Sequence, residues 1–299
     1  HPEKKVVYCN NEKRRGESVV KQIVGLTLDQ ERALYHLQDA LVEGCTFAGP
    51  ADGESALKEA RNVTVRHCNF SLRDPFWHTE NFVLEHSVLD GGVRASLWYA
   101  KNGRVDHCTI TGVKALRECE GISFAHDTIV SEEFGWRCRD ITMESCDVTA
   151  QYFLFETKGG SLKKINLKGK YSFQYVEDLT VEDSDLDTKD AFWHSKNVTV
   201  RNCTVKGEYL GWYSEGLTLI HCHIVGTQPL CYCKGLTLID CTMEGTDLSF
   251  EYSSVHATVN GSIDSVKNPA FGSITADSIG QIVLEDSVME TNCEITVRT

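Results

Sequence analysis

One nine-residue phrase recurs along the chain and always keeps the same slot for a small residue. Written x-h-x-h-x-x-C-x-h, with h apolar, it opens at Asp39 (DALVEGCTF), Asn62 (NVTVRHCNF), Asn81 (NFVLEHSVL), Asn102 (NGRVDHCTI) and Gly121 (GISFAHDTI). It continues at Asp140 (DITMESCDV), Asp178 (DLTVEDSDL), Asn197 (NVTVRNCTV), Gly216 (GLTLIHCHI) and Gly235 (GLTLIDCTM). From Gly121 onward the openings keep one constant interval, doubled only across the degraded stretch GGSLKKINLKGKY. A fixed period of this length is the signature of stacked repeats, none of which can bury its apolar face alone. The h-x-h alternation, rich in Val, Ile, Leu and Thr, predicts a strand with one buried face. A constant offset places each copy over the last, about 4.8 Å away.

The expected fold is therefore all-β: a right-handed parallel β-helix (a solenoid) of ten to twelve coils, each of about 19 residues. A leucine-rich horseshoe has a similar phrase, but its return segment is helical or carries spaced leucines. Here the return segments, KGEYLGWYSE and TKDAFWHSK, are short, aromatic and alternating. The expected organisation is one domain over 1–299: an N-terminal cap and first coil to about residue 38, regular coils over 39–253, and irregular coils with a cap over 254–299. LDQERALYHLQDA (28–40) shares the rhythm of later coils and is read as an early coil rather than a helix, and GPADGE (49–54) as a turn insertion.

The recurring slot holds Cys45, Cys68, Cys108, Cys146, Cys203, Cys222 and Cys241, with Ser87, Asp127 and Ser184 in other copies. Thirteen cysteines cannot all pair. Most of them share one repeat position, which points to a buried ladder of thiols and a reduced, cytoplasmic setting. The opening residues HPEKKVVYCNNEKRRGESVV contain no apolar segment of the signal-peptide kind, and the first residue, His1, suggests that the native start is missing. No apolar run reaches the ~18 residues of a membrane span. A net charge of −13 argues against nucleic-acid and anionic-membrane partners, which need clustered positive charge.

The second half of each coil carries the chemistry. Counting the first residue of the phrase as zero, position 12 holds Asp74, Lys114, Glu133, Tyr152, Tyr171, Asp190, Tyr209, Gln228 and Asp247. Position 15 holds Trp77, Arg117, Trp136, Phe155, Gln174, Trp193, Trp212, Cys231 and Phe250, and position 16 holds His78, Glu118, Arg137, Glu156, Tyr175, His194, Tyr213, Tyr232 and Glu251. In the coil opening at Asn81 the counterparts Arg94, Trp98 and Tyr99 are displaced by up to two residues. Strand alternation predicts that positions 15 and 16 face opposite ways, one into the core. An outward strip of aromatic, amide and charged side chains suits an extended sugar chain: rings stack on apolar sugar faces, and polar groups pair with hydroxyls.

Two carboxylates flanking a glycosidic bond perform hydrolysis, about 5 Å apart for retention and about 6.5–9.5 Å for inversion. Asp190 and Glu208 sit at positions 12 and 11 of neighbouring coils. Glu208 is expected as the acid and Asp190 as base or nucleophile. A lyase would instead use a cation with a base: Lys114 and Arg117, or Lys189 with Tyr209 or Tyr171. The wider ligand-binding set is Arg94, Lys114, Arg117, Glu133, Trp136, Tyr171, Lys189, Trp193, His194, Tyr209, Trp212, Tyr213, Gln228, Asp247 and Glu251. Lys189 and Glu208, at position 11 of adjacent coils, also have the look of a coil-to-coil ion pair. No cofactor or metal site is expected: in CYC (231–233) alternate residues diverge, and His78 and His194 read as surface hydrogen-bonding groups. A non-catalytic glycan-binding or protein-scaffolding solenoid is the competing reading.

The phrases TKDAFWH (188–194), GEYLGWYS (207–214), GTQPLCYC (226–233) and VKNP (266–269) resemble a bacterial domain-of-unknown-function family in the pectin-lyase-like, right-handed β-helix superfamily. The likeness runs from about residue 20 to 295. It implies the fold and brings no catalytic residue. The superfamily's enzymes act on acidic polysaccharides and other glycans. Their signatures, the N-T-D, D-D and G-H-G series of polygalacturonases and the arginine and calcium-carboxylate pattern of pectate lyases, are not found in this chain.

Overall fold

The computed structural model describes residues 20–299; the N-terminal cap expected over the first residues lies largely outside them. The chain forms two compact units, one ending at Glu132 and the other spanning Glu133–Thr299. Each is a stack of parallel β coils, a right-handed β-helix, with hardly any helix: a single 3-10 turn, Gly91–Val93, among the described residues.

In the N-terminal unit, the strand that opens each coil is Lys21–Val24, Gln38–Glu43, Arg61–Arg66, Glu80–Glu85, Lys101–Asp106 and Glu120–Ala125. These pair in parallel with Val42 beside Val65, Val65 beside Leu84, Leu84 beside Val105 and Val105 beside Phe124. A second column, two residues wide at first, stacks Phe47, Phe70, Leu89 and Ile110. In the C-terminal unit the opening strands begin with Arg139–Glu144 and Lys158–Lys163. There Met143, Leu162, Val181, Val200, Leu219, Leu238 and Ala257 form one column at an unvarying step. The degraded phrase near residue 159 therefore keeps its place. After Ser254 the steps change, with Ala257 beside Ile274 and Ile274 beside Ile295. Among the described residues there are six opening strands in the first unit and nine in the second, more than the ten to twelve coils expected. The coil over 21–37 and the coils after Ser254 lack the phrase and still close in parallel register. Residues 31–36 form turns rather than a helix.

Three local rules explain why the phrase reads as it does. Its first residue is left-handed in coil after coil: Asn62 (φ 53°), Asn81 (φ 52°), Asn102 (φ 53°), Asp140 (φ 52°), Asp178 (φ 54°) and Gly216 (φ 65°). Gly, Asn and Asp tolerate that conformation best, which is why the slot is restricted to them. The apolar h positions point inward and are buried, Val65, Val181 and Leu219 at 0% exposure. The cysteine slot is likewise interior. Cys203 Sγ donates to the Arg201 carbonyl at 3.2 Å and Cys241 Sγ to the Leu219 carbonyl at 3.3 Å, so the buried thiols find backbone acceptors on their own coil and on the coil before. Ser184 does the same with its hydroxyl, at 2.7 Å from the Glu182 carbonyl. None of the twelve described cysteines is in a disulfide. Buried phenylalanines follow in register: Phe47 stacks on Phe70 with ring centroids 4.4 Å apart, and Phe173 on Phe192 at 4.5 Å. No helix among the described residues is long and apolar enough to cross a membrane.

Candidate functional site

Positions 15 and 16 both face outward in the coils up to Trp212 and Tyr213, against the alternation expected of them. Only at Cys231 and Phe250 does position 15 turn into the core. The residue at position 16 is left-handed from His78 (φ 55°) to Tyr232 (φ 60°), with Tyr175 (φ 56°), His194 (φ 54°) and Tyr213 (φ 60°) between them. The chain bends there, so the side chains at the bend and just before it both leave the core. Their inward neighbours are Phe173, Phe192 and Leu230 on one side and Val176, Ser195 and Ser214 on the other, all buried.

The tryptophans at position 15 lie half-buried against the turn of the following coil. The ring nitrogens donate to backbone carbonyls of that coil: Trp77 to Ala95 (2.7 Å), Trp98 to Lys114 (2.9 Å), Trp193 to Tyr209 (2.6 Å) and Trp212 to Gln228 (2.8 Å). Trp193 and Trp212 stack with centroids 5.3 Å apart and planes within 2°. Position 16 forms a second ladder: Tyr175 on His194 (4.7 Å, 6°), His194 on Tyr213 (5.0 Å, 8°) and Tyr213 on Tyr232 (4.9 Å, 9°). In-register stacking makes each ring's faces the contact surface of its neighbours. Ring edges, with the Tyr hydroxyls, are what the ladder presents to water.

In the C-terminal unit most of the expected ligand-binding residues come together on neighbouring coils. Asp190 is left-handed (φ 51°), and its amide donates to the Glu208 carbonyl at 2.9 Å. Its carboxyl is half-buried, and one oxygen is enclosed without a hydrogen-bond donor. Burial holds this carboxyl above the usual carboxylate range; the Lys189 charge works against the shift and the Glu208 charge adds to it. Glu208 is exposed. Of the two carboxyls, Asp190 is thus the half-buried one, whereas the sequence cast Glu208 as the acid. Lys189 is not paired with Glu208: its ammonium lies 5.6 Å from the Tyr171 ring centroid, with Lys170 at 5.3 Å from the same ring. Tyr209 leans on Trp212 at 5.1 Å, and Gln228 supplies the carbonyl that holds the Trp212 indole.

Other members of the set sit on the coils before and after these. Glu251 is held by Lys267 at 2.9 Å and by the Tyr232 hydroxyl at 3.4 Å. Asp247 is exposed and accepts the Gln228 amide through its backbone carbonyl. Glu133 and Trp136 are half-buried on the strand Thr128–Trp136, where Trp136 meets the rings of Tyr152 and Phe155. Cys231 and Cys233 are both buried, and burial pushes their thiols up to about 12 and about 11.

Arg94, Lys114 and Arg117 belong to the N-terminal unit. Asp74, Trp77, Arg94, Trp98 and Lys114 line a cleft of about 210 Å³ there. Trp77 and Trp98 stack at 4.7 Å, and the Arg117 guanidinium lies 5.2 Å from the Trp98 ring. The Asp74 carboxyl is raised by burial and by the Glu54 charge, with Arg94 opposing. The coil opening at Asn81 carries a 3-10 turn in this stretch, with the Asp90 side chain accepting the Gly92 amide at 2.9 Å, and this accounts for the displaced Arg94. Asp74 stands at position 12, but spacing alone does not single it out, because Arg94 and Trp98 across the cleft belong to a coil of different length.

A second set carries no mark in the strand pattern. Position 5, just before the cysteine slot, is left-handed and outward. It holds His67, His86, His107 and His126 in four successive coils.

Against this geometry, the comparisons decide the family. A family model described as a protein of unknown function (DUF3737) matches residues 21–296. The chain belongs to that family. A search of curated proteins finds no match. Among solved structures, the chain is similar to the catalytic domain of a GH87 alpha-1,3-glucanase in complex with nigerose (8% identity, TM-score 0.30), covering 94% of this chain and 64% of that one. It is also similar to a mannuronan C-5 epimerase A-module of Azotobacter vinelandii (14% identity, TM-score 0.27), covering 91% and 76%. The chain thus spans just under two thirds of the length of the glucanase domain. At these scores the likeness has no weight on activity.

Proposed function

We propose that this protein is a carbohydrate-active β-helix that hydrolyses an extended oligosaccharide, with Asp190 and Glu208 as its carboxylate pair. The observation that carries the reading is the Asp190 carboxyl: half-buried, with one oxygen lacking a donor, and raised by burial beside an exposed glutamate on the next coil. Pairs of carboxyl groups whose surroundings push their acidities apart are how one site supplies an acid and a base together. Asp190 protonates the leaving oxygen. Glu208, one strand spacing of about 4.8 Å away along the stack, acts as the base or nucleophile. Because the ring ladders present edges, recognition rests on the Tyr209 hydroxyl, Gln228 and Lys189 more than on ring faces. A reducing, cytoplasmic setting belongs to the same reading, supported by twelve described cysteines with no disulfide.

The test is a panel of neutral and uronic oligosaccharides, read for new reducing ends and for the ultraviolet signal of unsaturated products. New reducing ends that vanish in Asp190→Asn and Glu208→Gln support the hydrolase. Unsaturated products instead move the reaction to a lyase, with the Asp74, Arg94 and Lys114 cleft as its place. Binding without turnover, undisturbed by either substitution, sinks the catalytic reading. That outcome favours a recognition solenoid, which one observation already supports: four of the tryptophan indoles are engaged by backbone carbonyls and so are pinned as structural members.

A further inference from the structure

A separate ladder, at position 5, is built of histidines alone. His67, His86, His107 and His126 are all exposed, on four consecutive coils of the N-terminal unit. Their rings stack at 5.3, 5.0 and 4.7 Å between centroids, with planes 13°, 22° and 30° apart. A histidine nitrogen binds a metal with a lone pair in the plane of the ring, pointing out from the edge. Stacking covers the faces and leaves those lone pairs in water. Left-handed positions favour His for local reasons, and that accounts for one histidine in this slot. It does not account for four in succession, when later coils fill the slot with Ser145, Lys164, Asp183, Asn202, His221 and Asp240.

A carboxylate completes the arrangement. Asp106, at the end of the strand Lys101–Asp106, lies 2.6 Å from the His107 ring nitrogen Nδ1 and also accepts from Arg104 at 3.1 Å. One donor atom from each of Asp106, His107 and His126 falls within 4.8 Å of the other two. Around an ion with bonds of about 2.0–2.1 Å, tetrahedral donors stand about 3.3 Å apart. Rotation of exposed side chains supplies the remaining closure, since the His107 side chain is 51% exposed.

We propose that Asp106, His107 and His126 bind one divalent transition-metal ion of the imidazole-preferring class, such as Zn²⁺. Imidazole with carboxylate suits zinc, nickel and copper over calcium or magnesium, which take oxygen donors. Three protein ligands on a solvent-facing turn leave the remaining coordination to water. His86, the next rung, is the natural reserve ligand.

The experiment is calorimetric titration of the tag-free, chelator-stripped protein with Zn²⁺, and with Co²⁺ for its visible spectrum. The expected result is one Zn²⁺ per chain. Asp106→Asn and the double substitution His107→Asn with His126→Asn should each weaken binding at least about tenfold. Asn is the residue the histidine slot holds at Asn202, and Asn matches Asp106 in shape, so the fold should survive, and an unchanged thermal melt verifies it. His221→Asn, the same slot in the C-terminal unit, should leave binding unchanged. The proposal is overturned by no uptake at millimolar Zn²⁺, or by uptake undiminished in the double variant. It is equally overturned by a thiolate-to-cobalt charge-transfer band, which would put the ion on a cysteine.

Discussion

The two units follow the same rule at different strictness. In the C-terminal unit the core column advances by one unvarying step from Met143 to Ala257. In the N-terminal unit the steps from Val42 to Val65 and from Leu84 to Val105 are longer and unequal. The strand ends are held constant in both, so the surplus residues of the longer coils fall in the turns. Aromatic residues at positions 15 and 16 stack in both units, Trp77 on Trp98 and His78 on Tyr99 in one, Trp193 on Trp212 and His194 on Tyr213 in the other, and the strict period extends the ladder over four coils from Tyr175 to Tyr232. Where it is relaxed, the 3-10 turn at Gly91–Val93 sits beside the cleft in which Arg94, Lys114 and Asp74 gather. The regular unit has a cleft of its own, about 360 Å³ beside Glu156, Tyr175, His194 and Lys196, so the two units differ in which residues line the space rather than in whether there is any.

The sharpest way to break that contrast is catalytic. If chemistry resides in the regular unit, Asp190→Asn should lower turnover by about a thousandfold, roughly 4 kcal/mol of transition-state stabilisation, while Asp74→Asn changes it little. The reverse outcome in a rate assay would assign the reaction to the relaxed unit.

Turn glycines should separate the units next. Gly207, immediately before Glu208, has φ 147°, and a Cβ there would collide with the Thr188 carbonyl oxygen. Gly207→Ala should cost about 3 kcal/mol or more in denaturant unfolding. Gly91 in the relaxed unit has open space, the nearest heavy atom to an added Cβ being 3.9 Å away. Gly91→Ala should therefore stay within about 0.5 kcal/mol. Equal costs would show that both turns tolerate departure alike.

The third prediction concerns Asp127, a carboxyl in the cysteine slot of the N-terminal unit. Burial raises it to about 7, the Cys108 amide that donates to it at 2.7 Å opposes the shift, and the Asp106 charge adds to it. Its folded-state pKa lies above the unfolded one, so folding is unpenalised below about pH 4 and loses stability as pH rises from there through about 7. Asp127→Ser, the residue found in this slot at positions 87 and 184, should remove that decline and stabilise the protein by about 2 kcal/mol at pH 8, with little change at pH 4. Parallel pH profiles for the two proteins would refute it.

The smallest effect is kinetic. Among the described cysteines only Cys293 is partly exposed, while burial pushes Cys108 and Cys203 up to about 12 and about 11. A thiol reagent should modify Cys293 first, with the slot cysteines reacting at the rate of local opening. Rapid modification of Cys203 would mean that the regular unit breathes more than its register implies.

The coil, its strand faces and its thiol ladder are legible in the sequence because period and alternation both act through the core, where a misplaced side chain is costly. The outward columns are less so. Alternation misplaces positions 15 and 16 because the left-handed bend at His194 or Tyr213 leaves no residue type as a marker: His, Tyr, Glu and Arg all occupy it. Counting finds the pair Asp190 and Glu208, but which of them is buried depends on the depth of the turn, which the spacing does not carry. The histidines at position 5 stand beside the cysteine slot in plain view. Nothing in a strand pattern, however, says that a turn residue will stack on its counterpart in the next coil.

The strict step of the C-terminal column has a genetic consequence. The codons between one rung and the next encode an interchangeable tile, whose upper and lower edges are the same hydrogen-bonding surface. A tandem duplication or an in-frame loss of one tile should heal without a seam, lengthening or shortening the outward face by one rung. The same accident in the N-terminal unit would join turns of unequal length. Variation in length between relatives should therefore accumulate on one side of Glu132, and variation in turn sequence on the other.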